Sequence, residues 1–263
     1  MPVRFIKGAA MSEHIVVTDL NGVRTIRMAR TDKKNAITFA MYEAMTKALR
    51  GGTADPAIRA LVLTGSDDVF TAGNDLYDFL QAGDVQTSPA ADFLYTLIAT
   101  TKPVIAAVNG LAIGIGVTML LHCDLVYAVS GASLQLPFIN LALVPEAASS
   151  LLLPRLIGHQ RAAELLMLGE PFSSETARDL GLVNAVFAAP ELAAAVASRA
   201  ESLVAKPAAA LARTKALLRH PDQSVEARLT TEFAAFGHAL RSDELKEAVA
   251  AFTQRRPPDF SKL

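Results

Sequence analysis

The chain has 263 residues, 51% of them hydrophobic and 19% charged, a balance opposite to that of a disordered chain and long enough to bury a sizeable core. Lys and Arg number 25 against 26 Asp and Glu, which argues against a globally basic nucleic-acid binder. A single cysteine, Cys123, excludes an internal disulfide and a cysteine-based metal cluster, and the lack of Trp leaves a mostly aliphatic core.

In chain order, residues 1–13 read as an N-terminal tail. The stretch before Met11 has basic residues but no long apolar run, so it makes no signal peptide, and Met11 is an alternative start. Asn21-Gly22 between residues 14–18 and 23–28 predicts a β-hairpin. Residues 38–50 place Phe39, Met41, Tyr42, Met45 and Leu49 at helical spacing behind Thr38 as N-cap. Residues 59–65 read as a short buried strand, 75–81 as a short helix, 83–88 as a mobile loop, and 92–100 as a helix stopped before Pro103.

The apolar region 104–121 is interrupted by Asn109, Gly110, Gly114 and Gly116. It therefore reads as a strand over 104–108, a glycine turn and a helix, and not as a membrane span. Residues 124–129 form the next strand. Alternation of strands and helices implies parallel pairing and an α/β core. Beyond about residue 147 the pattern is helical: 148–156, 159–168, 174–180, 191–204, 207–218, 224–240 and 244–252, with one strand over 183–187. Domain-wise, residues 14–200 make the α/β core and 201–263 a helical C-terminal region. Ser261-Lys262-Leu263 matches the peroxisomal address, which applies only in a eukaryote; the Ala-rich composition favours a bacterial, cytoplasmic protein.

Several chemistries drop out. Gly114-Ile115-Gly116 lacks the third glycine of a dinucleotide fingerprint, because position 119 is Met119, and no phosphate-binding Gly-Lys-Ser/Thr loop exists. No Gly-x-Ser-x-Gly elbow exists, and Ser149-Ser150 read as capping residues. His14, His122, His159, His220 and His238 show no metal-like pairing and read as surface or satisfied structural residues; Arg213, Lys215 and Arg219 read as solvated helix faces. Two glycine turns that each open a helix remain, Gly114-Ile115 and Ala72-Gly73-Asn74-Asp75-Leu76. Each is either a tight turn or a source of a free N–H donor, and two such donors can stabilise one oxyanion. Glu146 is the sole charged residue between Val129 and Arg155. A lone carboxyl in apolar surroundings has a raised pKa suited to proton transfer, whereas a Glu beside a helix start is also favoured by the helix dipole.

Taken together these residues resemble the crotonase family, the enoyl-CoA hydratases and isomerases. The segments that carry the resemblance are Asn35-Ala36-Ile37, Ala72 to Leu76, Lys102-Pro103-Val104-Ile105-Ala106-Ala107-Val108-Asn109-Gly110, Cys123-Asp124 and Gly181-Leu182-Val183-Asn184. The resemblance runs from about Ile15 to Phe260. It implies an α/β fold, a crotonase-like spiral of β-β-α turns with a helical C-terminal trimerisation region, and assembly as a homotrimer or dimer of trimers. It further implies an acyl-CoA thioester substrate held by an oxyanion hole of the Asn74 and Ile115 N–H groups. No separate cofactor or metal is implied, coenzyme A being part of the substrate, and neither a nucleic-acid nor a membrane partner is expected. Substrate contacts fall by position on Lys34, Asn35, Ala36, Ala72, Gly73, Asn74, Asp75, Leu76, Gly114 and Phe138. Lys33 and Lys34 lie where the adenine and phosphates are expected, and also read simply as surface lysines.

The acids distinguish reactions within the family. Hydratases resemble one another in two glutamates, which fall here at Thr118 and at about Phe138. The segment Pro137-Phe138-Ile139-Asn140-Leu141 with Pro145-Glu146-Ala147-Ala148-Ser149-Ser150 instead looks like the peroxisomal-type 3,2-enoyl-CoA isomerases, whose one catalytic glutamate matches Glu146. The expectation is a 3-enoyl-CoA to 2-enoyl-CoA isomerase of fatty acid β-oxidation with Glu146 as base. A hydratase or another crotonase reaction is the alternative among enzymes, and an inactive crotonase-fold scaffold the alternative from another class.

Overall fold

A computed structural model describes residues 4–5, 12–81, 83–219 and 223–260. The alternative start Met11, His220 and the Ser261-Lys262-Leu263 tripeptide lie outside the described residues.

Arg4–Phe5 (β1), within the stretch read as a tail, pair antiparallel with Ile15–Leu20 (β2), which hairpins into Val23–Met28 (β3). Asn21 and Gly22 both take positive φ, as a two-residue hairpin turn demands. Phe39–Ala54 (α1) follows, and the Thr38 hydroxyl accepts from the Met41 N–H as its N-cap. The helix runs four residues beyond the expected Arg50, through Gly51–Gly52, before Ala60–Thr64 (β4).

Three β-β-α turns come next. β4 is followed by Val69–Thr71 (β5), Leu76–Gln81 (α2) and Pro89–Ala99 (α3); Val104–Val108 (β6) by Leu111–Ile113 (β7) and Ile115–Thr118 (α4); Leu125–Val129 (β8) by Ser133–Gln135 (β9), Ser149–Ile157 (α5) and His159–Leu168 (α6). The first strand of each turn joins one sheet and the second strand another. Phe172–Ser173 (β10), Ser174–Asp179 (α7) and Ala185–Phe187 (β11) close the series. The larger sheet has the order β1-β2-β3-β4-β6-β8-β11 and the smaller β10-β9-β7-β5. From β3 onward the larger sheet is parallel, as the strand–helix alternation predicted. The chain thus winds as a spiral whose successive turns stack strand on strand.

The three-residue strands β5, β7 and β9 are absent from the expected elements, since so few residues carry no readable alternation. The loop expected over 83–88 contains a 3-10 turn at Val85–Thr87, with the Asp84 carboxylate accepting from the Gln86 N–H. Ser88 caps α3, three residues earlier than expected, with Pro89 in the first turn. The helix expected to reach Leu121 is α4 continued by a 3-10 turn over Met119–His122.

The interior is aliphatic, as the composition required. Met28, Met41, Leu49, Leu61, Leu63, Phe70, Phe93 and Leu97 are fully buried in one cluster, and Val62, Ile105, Ala107 and Tyr127 pack in another with Leu192, Val196 and Ala200 of Ala189–Val204 (α8). Ala208–Leu218 (α9), Val225–Ala239 (α10) and Asp243–Thr253 (α11) complete the chain. Among the described residues no helix is long and apolar enough to cross a membrane.

One expectation is corrected here. Lys215 is no solvated lysine: it is buried, and its Nζ donates to Asp124 Oδ2 and the Lys102 carbonyl, each at 2.6 Å. Arg219, one helical turn on, donates to the carbonyls of Ile98, Thr100 and His122. The first C-terminal helix is thereby latched to the spiral by groups that would be costly to leave unpaired.

Candidate active site

The parallel register of β5 and β7 sets Thr71 beside Ala112, so the turns that leave these two strands emerge side by side. Gly73 takes φ +94° and lies so close to Ile113 that a side chain there would meet the Ile113 carbonyl at 3.1 Å. Gly114 takes φ +56° and N-caps α4. Both glycines are required by these left-handed turns.

The two turns offer unused donors. Asn74 forms a parallel bridge with Ile37 through the Gly73 carbonyl and the Asp75 N–H, which directs its own N–H away from that partner. Ile115 is the first residue of α4, where helical N–H groups have no intrahelical acceptor. Among the described residues neither N–H donates to a protein acceptor.

Both residues line one cavity of about 460 Å³, walled by Phe39, Leu76, Val85, Leu94, Phe138, Leu143 and Val144. Its size and apolar walls are those of a small-molecule site. Glu146 lies on the wall, and it is the one carboxylic acid among the described lining residues. It is reached through a backbone of unusual shape. Ala147 and Ala148 both take positive φ (52° and 55°), a costly conformation for residues with a side chain, and α5 starts directly behind them. The Ser149 N–H and hydroxyl both donate to the Glu146 carbonyl, at 2.9 and 2.6 Å.

Burial raises the Glu146 carboxyl above its ordinary range, opposed by a hydrogen bond from the Thr118 hydroxyl to Oε1. Among the described residues Oε2 has no protein partner, leaving one carboxylate oxygen available to the cavity. Thr118 therefore has a positive part to play here, and not merely the absence of an acid. Tyr42 is a second group missed in the sequence, where it read as a core position of α1. It also lines the cavity, and its hydroxyl donates to Asn74 Oδ1 at 2.5 Å, which tethers the Asn74 turn to α1. Burial and the nearby Glu146 charge push the phenol well above its usual value, so it stays a donor. The signal available in the sequence was that a buried tyrosine hydroxyl needs a partner.

Of the other expected residues, Ala72, Gly73, Leu76, Gly114 and Phe138 also line the cavity. Lys34, Asn35, Ala36 and Asp75 do not. The Asn35 side chain is wholly buried, accepting from the Arg30 N–H and donating to the Val69 and Phe70 carbonyls. The Lys34 carbonyl supports the Ala72 N–H at 2.9 Å, while the Lys33 and Lys34 side chains are exposed behind the turn. Asp75 pairs with Arg30 at 2.6 Å, which holds its carboxyl below the ordinary range. Among the described residues no cluster of three metal-ligating side chains exists.

Comparison with known proteins agrees with this architecture. The family model for Enoyl-CoA hydratase/isomerase matches residues 18–262. Enoyl-CoA delta isomerase 2 of Rattus norvegicus is 34% identical over 257 residues, 95% of this chain and 66% of that protein, so the chain spans just under two thirds of that relative. The 1,2-epoxyphenylacetyl-CoA isomerase of Escherichia coli is 32% identical, over 95% of this chain and 99% of that one. A solved structure from Magnetospirillum magneticum AMB-1, described as an enoyl-CoA hydratase/carnithine racemase, superposes with a TM-score of 0.94 at 47% identity, covering 96% of this chain and all of that one. With two sheets wound as a β-β-α spiral, a cavity between two glycine turns, and a family match over nearly its whole length, this chain belongs to the enoyl-CoA hydratase/isomerase, or crotonase, family.

Proposed function

We propose that the protein converts 3-enoyl-CoA to 2-enoyl-CoA thioesters, with Glu146 carrying one proton from C2 to C4. The observation that supports this reading is the single carboxylic acid among the described residues of the cavity wall, with Thr118 and Phe138 at the two places where the hydratase pattern has glutamates. The thioester oxygen lies between the Asn74 and Ile115 N–H groups. Glu146 Oε2 takes a proton from C2, and the C2–H electron pair moves into a dienolate whose negative oxygen those two donors stabilise. Glu146 then returns the proton to C4, the C2–C3 double bond forms and the carbonyl is restored. A raised carboxyl pKa suits both halves, since the group must accept a proton and give it back. Hydration would need an activated water and hence a second acid.

Incubating the purified protein with a 3-enoyl-CoA and separately with a 2-enoyl-CoA, and identifying the products, tests the reading. Isomerisation of the first without hydration of the second is expected. A 3-hydroxyacyl product from the 2-enoyl thioester would move the assignment to a hydratase, and inertness toward both to a scaffold.

Thr118→Glu is expected to yield no crotonyl-CoA hydration. A glutamate there would set a second carboxylate against Glu146 Oε1, while the other acid would still be missing at the buried Phe138. Like charges at that distance raise the pKa of one partner instead of activating water. Robust loss of enoyl absorbance on adding this variant to crotonyl-CoA would refute the two-acid argument.

The C-terminal helices are expected to be covered by other copies of the chain, in a trimer or a dimer of trimers. Phe233 and Phe236 of α10 are 70% and 65% exposed and Phe252 of α11 is 87% exposed, with Leu218 and Val225 nearby in sequence also open. So much large apolar surface marks an interaction face. Sedimentation at micromolar concentration should show no monomer; a purely monomeric boundary would overturn the expectation.

A further inference from the structure

We propose that His122 is a positioning residue for Glu146, holding the left-handed backbone behind the acid through a hydrogen bond to the Ala147 carbonyl. The inference rests on Glu146 being the base of the proposed reaction. His122 Nε2 lies 2.8 Å from the Ala147 oxygen. A carbonyl only accepts, so Nε2 carries the proton. Burial holds the imidazole below its ordinary pKa, against the opposing pull of this bond, which keeps the ring neutral near pH 7.

Three features make this bond more than a satisfied histidine. First, what it restrains is strained: Ala147 and Ala148 are consecutive left-handed alanines, and Ala148, at the start of α5, has no side chain to cap the helix. Such a conformation persists only where its surroundings over-determine it. Second, Thr118 ends α4 and His122 ends the 3-10 turn that continues it, so one unbroken helical segment carries both side chains to the 146–147 stretch. Thr118 holds the Glu146 carboxylate at Oε1 while His122 holds the peptide that follows. The same segment begins with the Ile115 N–H, so acid and oxyanion donor are referenced to one short element. Third, the far end of the segment is itself fixed, because Nη2 of Arg219, the C-cap of α9, donates to the His122 carbonyl at 3.1 Å. The C-terminal helical region thereby reaches the base through His122.

The test compares His122→Leu, of similar bulk and with no donor, with His122→Gln, whose amide nitrogen is four bonds from Cα, as is Nε2. In the Leu variant kcat should fall about ten-fold or more with KM nearly unchanged, because a displacement of 1 Å can cost 10²-fold. The Gln variant should recover to within about three-fold of wild type. Amide hydrogen exchange supplies a readout independent of turnover. The N–H groups of Ser149, Leu151 and Leu152 bond to the carbonyls of Glu146 and Ala148, and their exchange should rise in the Leu variant and not in the Gln variant. Wild-type kcat in the folded Leu variant, or a Gln variant as slow as Leu, would overturn the proposal. If the wild type isomerises nothing, the functional reading fails and exchange alone judges the restraint: faster exchange in Leu with rescue in Gln supports it, and unchanged exchange overturns it.

Discussion

Glu146→Gln is expected to lower isomerase turnover by at least about 10²-fold, the low end of what a general base contributes. The amide keeps the shape of the side chain, and its Oε1 still accepts from the Thr118 hydroxyl, but it cannot take a proton at neutral pH. Acyl-CoA binding should change little, because the proposed thioester contacts at Asn74 and Ile115 are backbone groups. Titration with a saturated acyl-CoA separates the two effects.

Stability follows from the sign of the pKa shift. Burial raises the carboxyl in the folded state, so the fold binds more protons than the unfolded chain between the ordinary value of 4.5 and the folded value. The stabilising contribution of the protonated acid is present below 4.5 and is lost as pH rises through the folded value. At neutral pH wild type carries the cost of a buried carboxylate and the Gln variant does not. Its thermal midpoint should equal or exceed that of wild type near pH 7, with the difference shrinking toward pH 4. The wild-type rate should fall, as pH falls, through a value above the ordinary glutamate range. If the variant unfolds yet keeps full activity per folded molecule, Glu146 is structural and the base lies elsewhere. Asp75, beside the Asn74 turn, is then the candidate, although its pairing with Arg30 depresses its basicity and it is absent from the cavity lining.

The residues that made the family legible in the sequence are mostly not the ones that line the cavity. Asn35 ties the 30–36 loop to β5, Asn109 accepts from the Gly65 N–H, Asp124 accepts from the Val104 N–H, and the Asn184 Oδ1 accepts from the Val126 N–H. Asn35 is buried and Asn109 half-buried, while Asp124 and Asn184 are more open, and each staples one stretch of the spiral to another through a backbone group. Their spacing therefore records the winding of the chain. The long strands were visible because buried aliphatic runs bounded by turns are distinctive, whereas β5, β7 and β9 were not, at three residues each. Glu146 was legible through its isolation among apolar residues. Tyr42, Thr118 and His122 were not, because their roles depend on contacts made 32, 28 and 25 residues away in the sequence. A local pattern contains no trace of such partners, and Lys215, bonded to Asp124 across 91 residues, misled for the same reason.

The two proposed oxyanion donors can be tested one at a time because Ile115 occupies the position where a helix tolerates proline. Ile115→Pro removes the N–H without removing any intrahelical bond, since the first helical residue has no acceptor to lose. The preceding residue does not forbid it: Gly114 has ψ −114° and no Cβ, outside the right-handed region that clashes with a following proline ring. Loss of one donor from a preorganised pair should reduce kcat by about 10²–10³-fold. Proline also fills less space than the buried isoleucine, so Ile115→Val serves as the control, trimming the side chain while keeping the N–H. That variant should cost about 0.5–1.5 kcal/mol of stability and little turnover. The Ala72 to Leu76 turn should remain in place in both variants, because Tyr42 and the Ile37 bridge hold it independently of α4. A proline variant that folds and turns over within a few-fold of the valine control would show that the Ile115 N–H carries no share of the developing charge. The cavity would then have to stabilise the enolate through Asn74 alone, and Asn74 would become the next position to lose its N–H.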